Sequence, residues 1–95
     1  MHVISGKAMR QFWEKYPDSE TALIRWLKLM TGANFQSFEL LRSVFPSADL
    51  VGDLIVFNIG GNKYRLITSI HFNRQKVYIR DILTHSEYDK DQWKT

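Results

Sequence analysis

Seven consecutive residues near the end of the chain, Thr84-His85-Ser86-Glu87-Tyr88-Asp89-Lys90, hold an imidazole, a phenol, an amine, two carboxylates and two aliphatic hydroxyls. Imidazole, phenol and amine are the groups that exchange protons in acid–base catalysis, and a histidine is suited to doing so near neutral pH. Ahead of this segment, every charged residue from Leu54 to Arg80 is a cation: Lys63, Arg65, Arg74, Lys76 and Arg80, with no Asp or Glu among them. Guanidinium and ammonium groups without an acid beside them bind anions and stabilise charge developing on a phosphate. The pattern points to a polyanion such as RNA, gripped by the cations and acted on by the later segment. Blander readings exist for both halves. Strand arginines pair across a sheet or face water, and Thr84 reads equally well as the cap of a final turn in which His85 and Tyr88 pack a sheet edge.

Other constellations are weaker. Gly60-Gly61-Asn62 lacks the strand-before, helix-after setting of a phosphate-cradling loop and reads as a hairpin turn needing positive φ. His2, His71 and His85 are too far apart in sequence for a metal motif, so neither metal nor cofactor is expected. His71, on a strand, reads as a partly buried, hydrogen-bonded residue. Trp13 and Trp26 fall on apolar helical stripes and belong to a core, which leaves Tyr88 and Trp93 as the candidates for stacking on bases.

The elements that must position these groups follow from periodicity. Val3-Ile4 reads as a short strand that turns through Ser5-Gly6 into a helix, with Ala8, Phe12, Trp13 and Tyr16 on one face. Pro17 ends that helix, Asp18 or Ser19 caps a second, and Ala22, Leu23, Trp26, Leu27 and Met30 form its stripe, closed by Gly32 as a left-handed cap. Ser37 caps a short helical turn, Phe38 to Phe45, stopped by Pro46, and Ser47 to Gly52 reads as a polar connection. From Asp53 onward, three runs rich in Val, Ile, Leu, Phe and Tyr, broken at Gly60-Gly61-Asn62 and Asn73-Arg74-Gln75, read as an antiparallel meander. The expected fold is α+β: a small antiparallel twisted sheet of the N-terminal strand plus the three-strand meander, with the helical hairpin packed on one face. Strict alternation separates Tyr64, Leu66, Thr68, Ile70 and Phe72 from Arg65, Ile67, Ser69 and His71. On the following strand it separates Val77, Ile79, Asp81 and Leu83 from Tyr78, Arg80, Ile82 and Thr84. A register that puts Arg65 and Arg80 on one face makes a cationic floor; a one-residue slip parts them.

Ninety-five residues, 44% hydrophobic and 24% charged, suit one soluble domain spanning 1–95. There is no cysteine, which excludes disulfides and thiolate metal sites and fits a reducing cytoplasm. No apolar run approaches an export signal or a membrane span. The formal charge of +3 and pI near 9.3 suit an acidic partner.

Val56-Phe57-Asn58-Ile59-Gly60-Gly61-Asn62-Lys63-Tyr64-Arg65-Leu66, then Val77-Tyr78-Ile79-Arg80 and Leu83-Thr84-His85-Ser86-Glu87-Tyr88-Asp89, resemble the HigB toxins of bacterial type II toxin–antitoxin systems, within the RelE/ParE superfamily. The likeness extends to His2-Val3-Ile4-Ser5, Glu14-Lys15-Tyr16-Pro17 and Ser47-x-Asp49. It implies a RelE-like fold and a cytoplasmic mRNA endoribonuclease, or mRNA interferase, that acts without metal in the A site of the small ribosomal subunit and inhibits translation. It further implies neutralisation by a HigA-type helix-turn-helix antitoxin, through which alone the toxin meets operator DNA. On that footing Arg65 is the first choice for stabilising the reacting phosphate, supported by Arg80 and Lys63. His85 and Tyr88 are the acid–base candidates with Lys90 in reserve, and which is acid and which base stays open. Arg74, Lys76, Lys90 and Trp93 join Lys63 as RNA contacts. Two other functions fit the same fold: a ParE-like toxin that poisons gyrase by binding, and a basic RNA-binding module without activity.

Overall fold

The computed structural model describes residues 1–4, 6–91 and 93; Ser5 of the expected strand-to-helix turn lies outside the described residues. In chain order come β1 (His2–Ile4), α1 (Gly6–Lys15), a 3-10 turn (Pro17–Ser19), α2 (Glu20–Thr31), α3 (Phe38–Val44), β2 (Asp49–Val51), β3 (Leu54–Ile59), β4 (Tyr64–His71), a second 3-10 turn (Phe72–Arg74), β5 (Lys76–Thr84) and α4 (His85–Asp89). None of these helices is long and apolar enough to cross a membrane.

Phe12 of α1 and Leu23, Trp26 and Met30 of α2 point into the core as the spacing predicts. Met9, outside the expected α1 stripe, is fully buried as well, while Ala8, Trp13 and Tyr16 are only partly buried against that core. Ser37 caps α3, its hydroxyl accepting the Leu40 N–H at 3.3 Å. Two expected caps come out differently. Ser19 precedes α2, but its hydroxyl donates to the Tyr16 carbonyl at 2.7 Å, and the Asp18 carboxylate is engaged elsewhere. Gly32 sits at φ −85°, not in the left-handed region; a Cβ there would lie 3.0 Å from the Lys28 carbonyl oxygen, so closeness of backbone is what favours glycine.

The sheet runs β1-β5-β4-β3-β2. The meander β3–β4–β5 is antiparallel as expected, turned at Gly60 and Gly61 (φ 62° and 71°) and at Gln75 (φ 54°). Two features depart from the expected sheet. The N-terminal strand pairs parallel to β5, making the sheet mixed. The supposed connection before it contains β2, an edge strand hairpinned onto β3 through Gly52 at φ 60°. Its Leu50 is 53% exposed, which is why the segment lacks the buried alternation that marks a strand. Ile55, Phe57, Ile59, Tyr64, Leu66, Val77 and Ile79 pack with the helical residues in one core on one face of the sheet.

The most consequential departure is a bulge. Ile67 lies opposite Asp81, yet Thr68 lies opposite Ile79, so Arg80 is the extra residue with no partner on β4. A bulge shifts the side-chain parity of its strand. Val77 and Ile79 face the core before it and Ile82 after it, while Asp81 and Leu83 go to the other face. Strict alternation along β5 was therefore the wrong expectation beyond Arg80.

Candidate active site

Arg65 stands near the start of β4 on the face away from α1 and α2, opposite Asn58 of β3 and Leu83 of β5. It was expected on an open surface; instead it is only 8% exposed. Its cover is α4. The guanidinium donates through Nη1 to the Tyr64 carbonyl at 3.2 Å, lies 3.2 Å through Nη2 from His85 Nδ1, and sits with Cζ 5.3 Å from the centroid of the Tyr88 ring. Among the described residues no Asp or Glu forms an ion pair with it. A cation withdrawn from water with only neutral acceptors is electrostatically unsatisfied and favours the arrival of an anion.

The short helix α4 exists because its first turn is capped from both sides. The Thr84 hydroxyl accepts the Glu87 N–H at 3.2 Å, and the Glu87 carboxylate accepts the Thr84 N–H at 3.0 Å. That second bond holds the Glu87 carboxyl below the usual carboxylate range. The capped-turn reading and the proton-transfer reading of this segment are thus compatible: the cap presents His85 and Tyr88 to Arg65.

Arginine only donates, so His85 Nδ1 accepts, and the neutral ring then carries its proton on Nε2. That nitrogen lies 3.0 Å from Asp89 Oδ2, one helical turn on. The His85 side chain is half exposed. Tyr88 stacks on Trp93, with centroids 4.9 Å apart and planes at 17°, and the Trp93 indole N–H donates to the Tyr88 carbonyl at 2.9 Å. The two aromatic stacking candidates therefore stack on each other. Trp93 also joins Asp81, Leu83, Glu87 and exposed Lys90 in lining a cleft beside this cluster.

Lys63 is not the unpartnered cation that the sequence suggested. Its Nζ lies 3.3 Å from Asp18 Oδ2, in the turn between α1 and α2. The other oxygen of Asp18 accepts the Tyr64 hydroxyl. This bond, more than Lys63, draws the Asp18 carboxyl below its usual value, and it pushes the Tyr64 phenol up to about 12.

The remaining cations are not gathered here. Arg80, in the bulge, is exposed, and its side chain makes no hydrogen bond or ion pair to the described residues. Continued without the bulge, the register of Ile70 with Val77 and Thr68 with Ile79 would set Ile82 opposite Arg65 and Arg80 opposite Ile67; the bulge instead puts Leu83 opposite Arg65 and leaves Arg80 without a partner on β4. The next row on this face, Asp49, Val56, Ile67 and Asp81, ends in an acid on each side, both outside the acid-free run from Leu54 to Arg80. Arg74 and Lys76 lie at the opposite end of β4, six positions from Arg65, or roughly 20 Å at strand rise. His71 is exposed, edge-on to Tyr78, and not the partly buried residue expected. Among the described residues no three His, Asp or Glu gather as a metal site. Two polar partners went unrecognised in the sequence: Asp18, read only as a cap, and Asp89. His85 and Asp89 are four apart, the spacing that joins side chains on a helix, so the signal for Asp89 was present.

Comparison with known proteins adds independent information. The HigB toxin family model, described as the RelE-like toxic component of a toxin–antitoxin system, matches residues 19–91. An Escherichia coli (strain K12) protein named mRNA interferase toxin HigB is 41% identical over 92 residues, covering 94% of this chain and 88% of that protein. An mRNA interferase HigB of Shigella flexneri shows the same identity and coverage. A further mRNA interferase HigB, from Escherichia coli O6:H1, is 31% identical over 93 residues, 95% of this chain and 90% of that protein.

Proposed function

The chain belongs to the HigB toxin family of RelE-like toxic components of toxin–antitoxin systems, and on that premise we propose that it is an endoribonuclease that cuts messenger RNA on the translating ribosome. Its relatives are named as mRNA interferases. Its own geometry suits such a reaction. The observation that carries the reading is the buried guanidinium of Arg65, without a carboxylate, 3.2 Å from the lone pair of a half-exposed histidine.

In the reaction we assign, a ribose 2′-oxygen attacks the adjacent phosphorus, the bond from phosphorus to the 5′-oxygen breaks, and a cyclic phosphate and a free 5′-hydroxyl result. A phosphate oxygen docks on Arg65 Nη2 and displaces its contact with His85. The guanidinium then meets charge that grows toward the transition state, where a fixed donor is most effective. Nδ1 of His85, relieved of Arg65, takes the 2′-proton while Asp89 steadies the ring through Nε2. Tyr88, whose ring lies beside Arg65, gives its proton to the leaving oxygen. Lys90 and Lys63 contact the flanking backbone. Arg80, Arg74 and Lys76 lie outside this cluster and act, in this reading, on more distant phosphates of the message or ribosome.

A toxin of this class works against an antitoxin. We assign that role to a HigA-type helix-turn-helix protein, through which the pair reaches operator DNA, in the cytoplasm where translation occurs. The test is induction of the wild-type chain, Arg65→Ala and His85→Ala, each verified as folded, with transcript ends mapped. The expected outcome is growth arrest with cuts inside coding regions for the wild type and neither for the variants. Arrest that persists in both variants overturns the site, and DNA damage without transcript cuts overturns the nuclease.

A further inference from the structure

We propose that Asp18 is a positioning residue for this active site: by gripping Tyr64 and Lys63 it fixes the two backbone carbonyls that hold the Arg65 guanidinium and the His85 amide. The proposal rests on the roles given above to Arg65 and His85.

The links form a short chain of contacts. Asp18 holds Lys63 through one carboxylate oxygen and Tyr64 through the other. The Lys63 carbonyl accepts the backbone N–H of His85 at 2.9 Å, and the Tyr64 carbonyl accepts Nη1 of Arg65 at 3.2 Å. One carboxylate on the helical side of the molecule thus clamps the residues that set both reactive groups on the other face. The clamp sits beside the hairpin turn that joins β3 to β4. Lys63 follows the two positive-φ glycines of the hairpin, and the turn's own hydrogen bond, Lys63 N–H to the Gly60 carbonyl, is long at 3.4 Å. The Tyr64 ring is wedged edge-on against Phe12 at 5.2 Å and tilted on Tyr16 at 5.6 Å, so its hydroxyl reaches Asp18 from a fixed platform. A phenol bonded to a carboxylate is a charge-assisted hydrogen bond and stronger than a neutral one. The Asp18–Lys63 pair is exposed and contributes little by itself, so Tyr64 is the main arm of the clamp.

The experiment uses the full chain. Asp18→Asn and Tyr64→Phe are compared with the wild type for single-turnover message cleavage on programmed ribosomes, for KM, for thermal melting, and by NMR at the His85 backbone amide and the Arg65 Nε–H. The expected result is a roughly tenfold fall in the cleavage rate with KM unchanged, shifted His85 and Arg65 signals, faster exchange of the His85 amide, and a double variant no slower than either single one. A purely structural role would move the melting temperature and leave the His85 and Arg65 signals of the folded molecules in place. Wild-type cleavage in both variants with those signals unmoved overturns the clamp and leaves the proposed function standing. A wild-type chain that cuts no message overturns the proposed function, while the NMR measurements still decide the clamp. If Asp18→Asn does not fold, Tyr64→Phe, which keeps the ring against Phe12 and Tyr16, carries the same readouts.

Discussion

Arg65 and His85, twenty positions apart in the chain, meet with Nη2 3.2 Å from Nδ1. The contact ties β4 to α4 and joins a permanent cation to a neutral imidazole lone pair, in a cluster that contains no balancing carboxylate for the arginine among the described residues. A site organised around an unmatched buried charge suits a substrate that brings the opposite charge with it.

Such a site trades stability for function. Arg65→Met keeps most of the side-chain volume and removes the buried cation. It is predicted to lower message cleavage by about a hundredfold or more, the usual cost of losing one transition-state donor, while leaving the melting temperature equal to or above that of the wild type. A variant that melts well below the wild type would show that the guanidinium is a structural tie.

The capping box makes α4 sensitive to one hydroxyl. Thr84→Ala removes the acceptor of the Glu87 N–H and is predicted to cost about 1 kcal/mol at that helix start. Amide exchange measured by NMR is expected to quicken across residues 85–89 and to stay slow at core positions such as Leu66. Cleavage falls because His85 and Tyr88 lose their fixed approach to Arg65. Uniform exchange changes throughout the molecule would contradict a local effect.

Asp89 steadies His85 from an exposed position, and exposed pairs contribute modestly. Asp89→Ala is predicted to slow single-turnover cleavage by roughly two- to tenfold, against a loss on the order of a hundredfold or more for His85→Ala. Equal losses for the two variants would mean that Asp89 has a direct part in the chemistry.

The Asp18–Tyr64 bond has a defined pH window. Tyr64 holds its proton to about 12 instead of its usual 10, chiefly because it donates to Asp18, and Asp18 is drawn below its usual 3.8, chiefly by the same bond. The raised phenol pKa contributes stability that is complete below 10 and is lost as pH climbs toward 12. The lowered carboxyl pKa contributes stability present above 3.8 and lost as pH falls further. The difference in melting temperature between the wild type and Tyr64→Phe should therefore be flat through neutral pH and shrink at both extremes. A difference that stays constant from about pH 8 to 12 would remove the bond from the account.

Arg74 and Lys76, remote from Arg65, are assigned to backbone phosphates only. Changing both to Glu is predicted to raise KM and reduce the salt dependence of RNA or ribosome association by about two ion contacts, with the single-turnover rate at saturation unchanged. A fall in that rate would place them nearer the chemistry than the strand geometry allows.

Much of the molecule is legible in one dimension because helical and strand periodicities are local properties. The stripes of α1 and α2, the Pro17 and Pro46 stops, the Ser37 cap and the glycine turn at Gly60-Gly61 follow from residue types a few positions apart. β2 was missed because an edge strand with Leu50 exposed carries no buried alternation, and the parallel pairing of β1 joins residues more than seventy positions apart.

The sequence by itself determined the family and which side chains the candidate site is built from: Arg65, His85 and Tyr88 stand in recognisable strings. Tertiary structure alone decided who touches whom. A single extra residue at Arg80 reversed the parity of β5, set Leu83 in place of Ile82 opposite Arg65, and left Arg80 without a partner on β4. Lys63 found Asp18 across 45 positions of chain, and α4 folded over Arg65 to bury it. Residue type is written locally, but strand register, bulge position and long-range pairing emerge only when the whole core closes, since each depends on contacts that no short stretch contains.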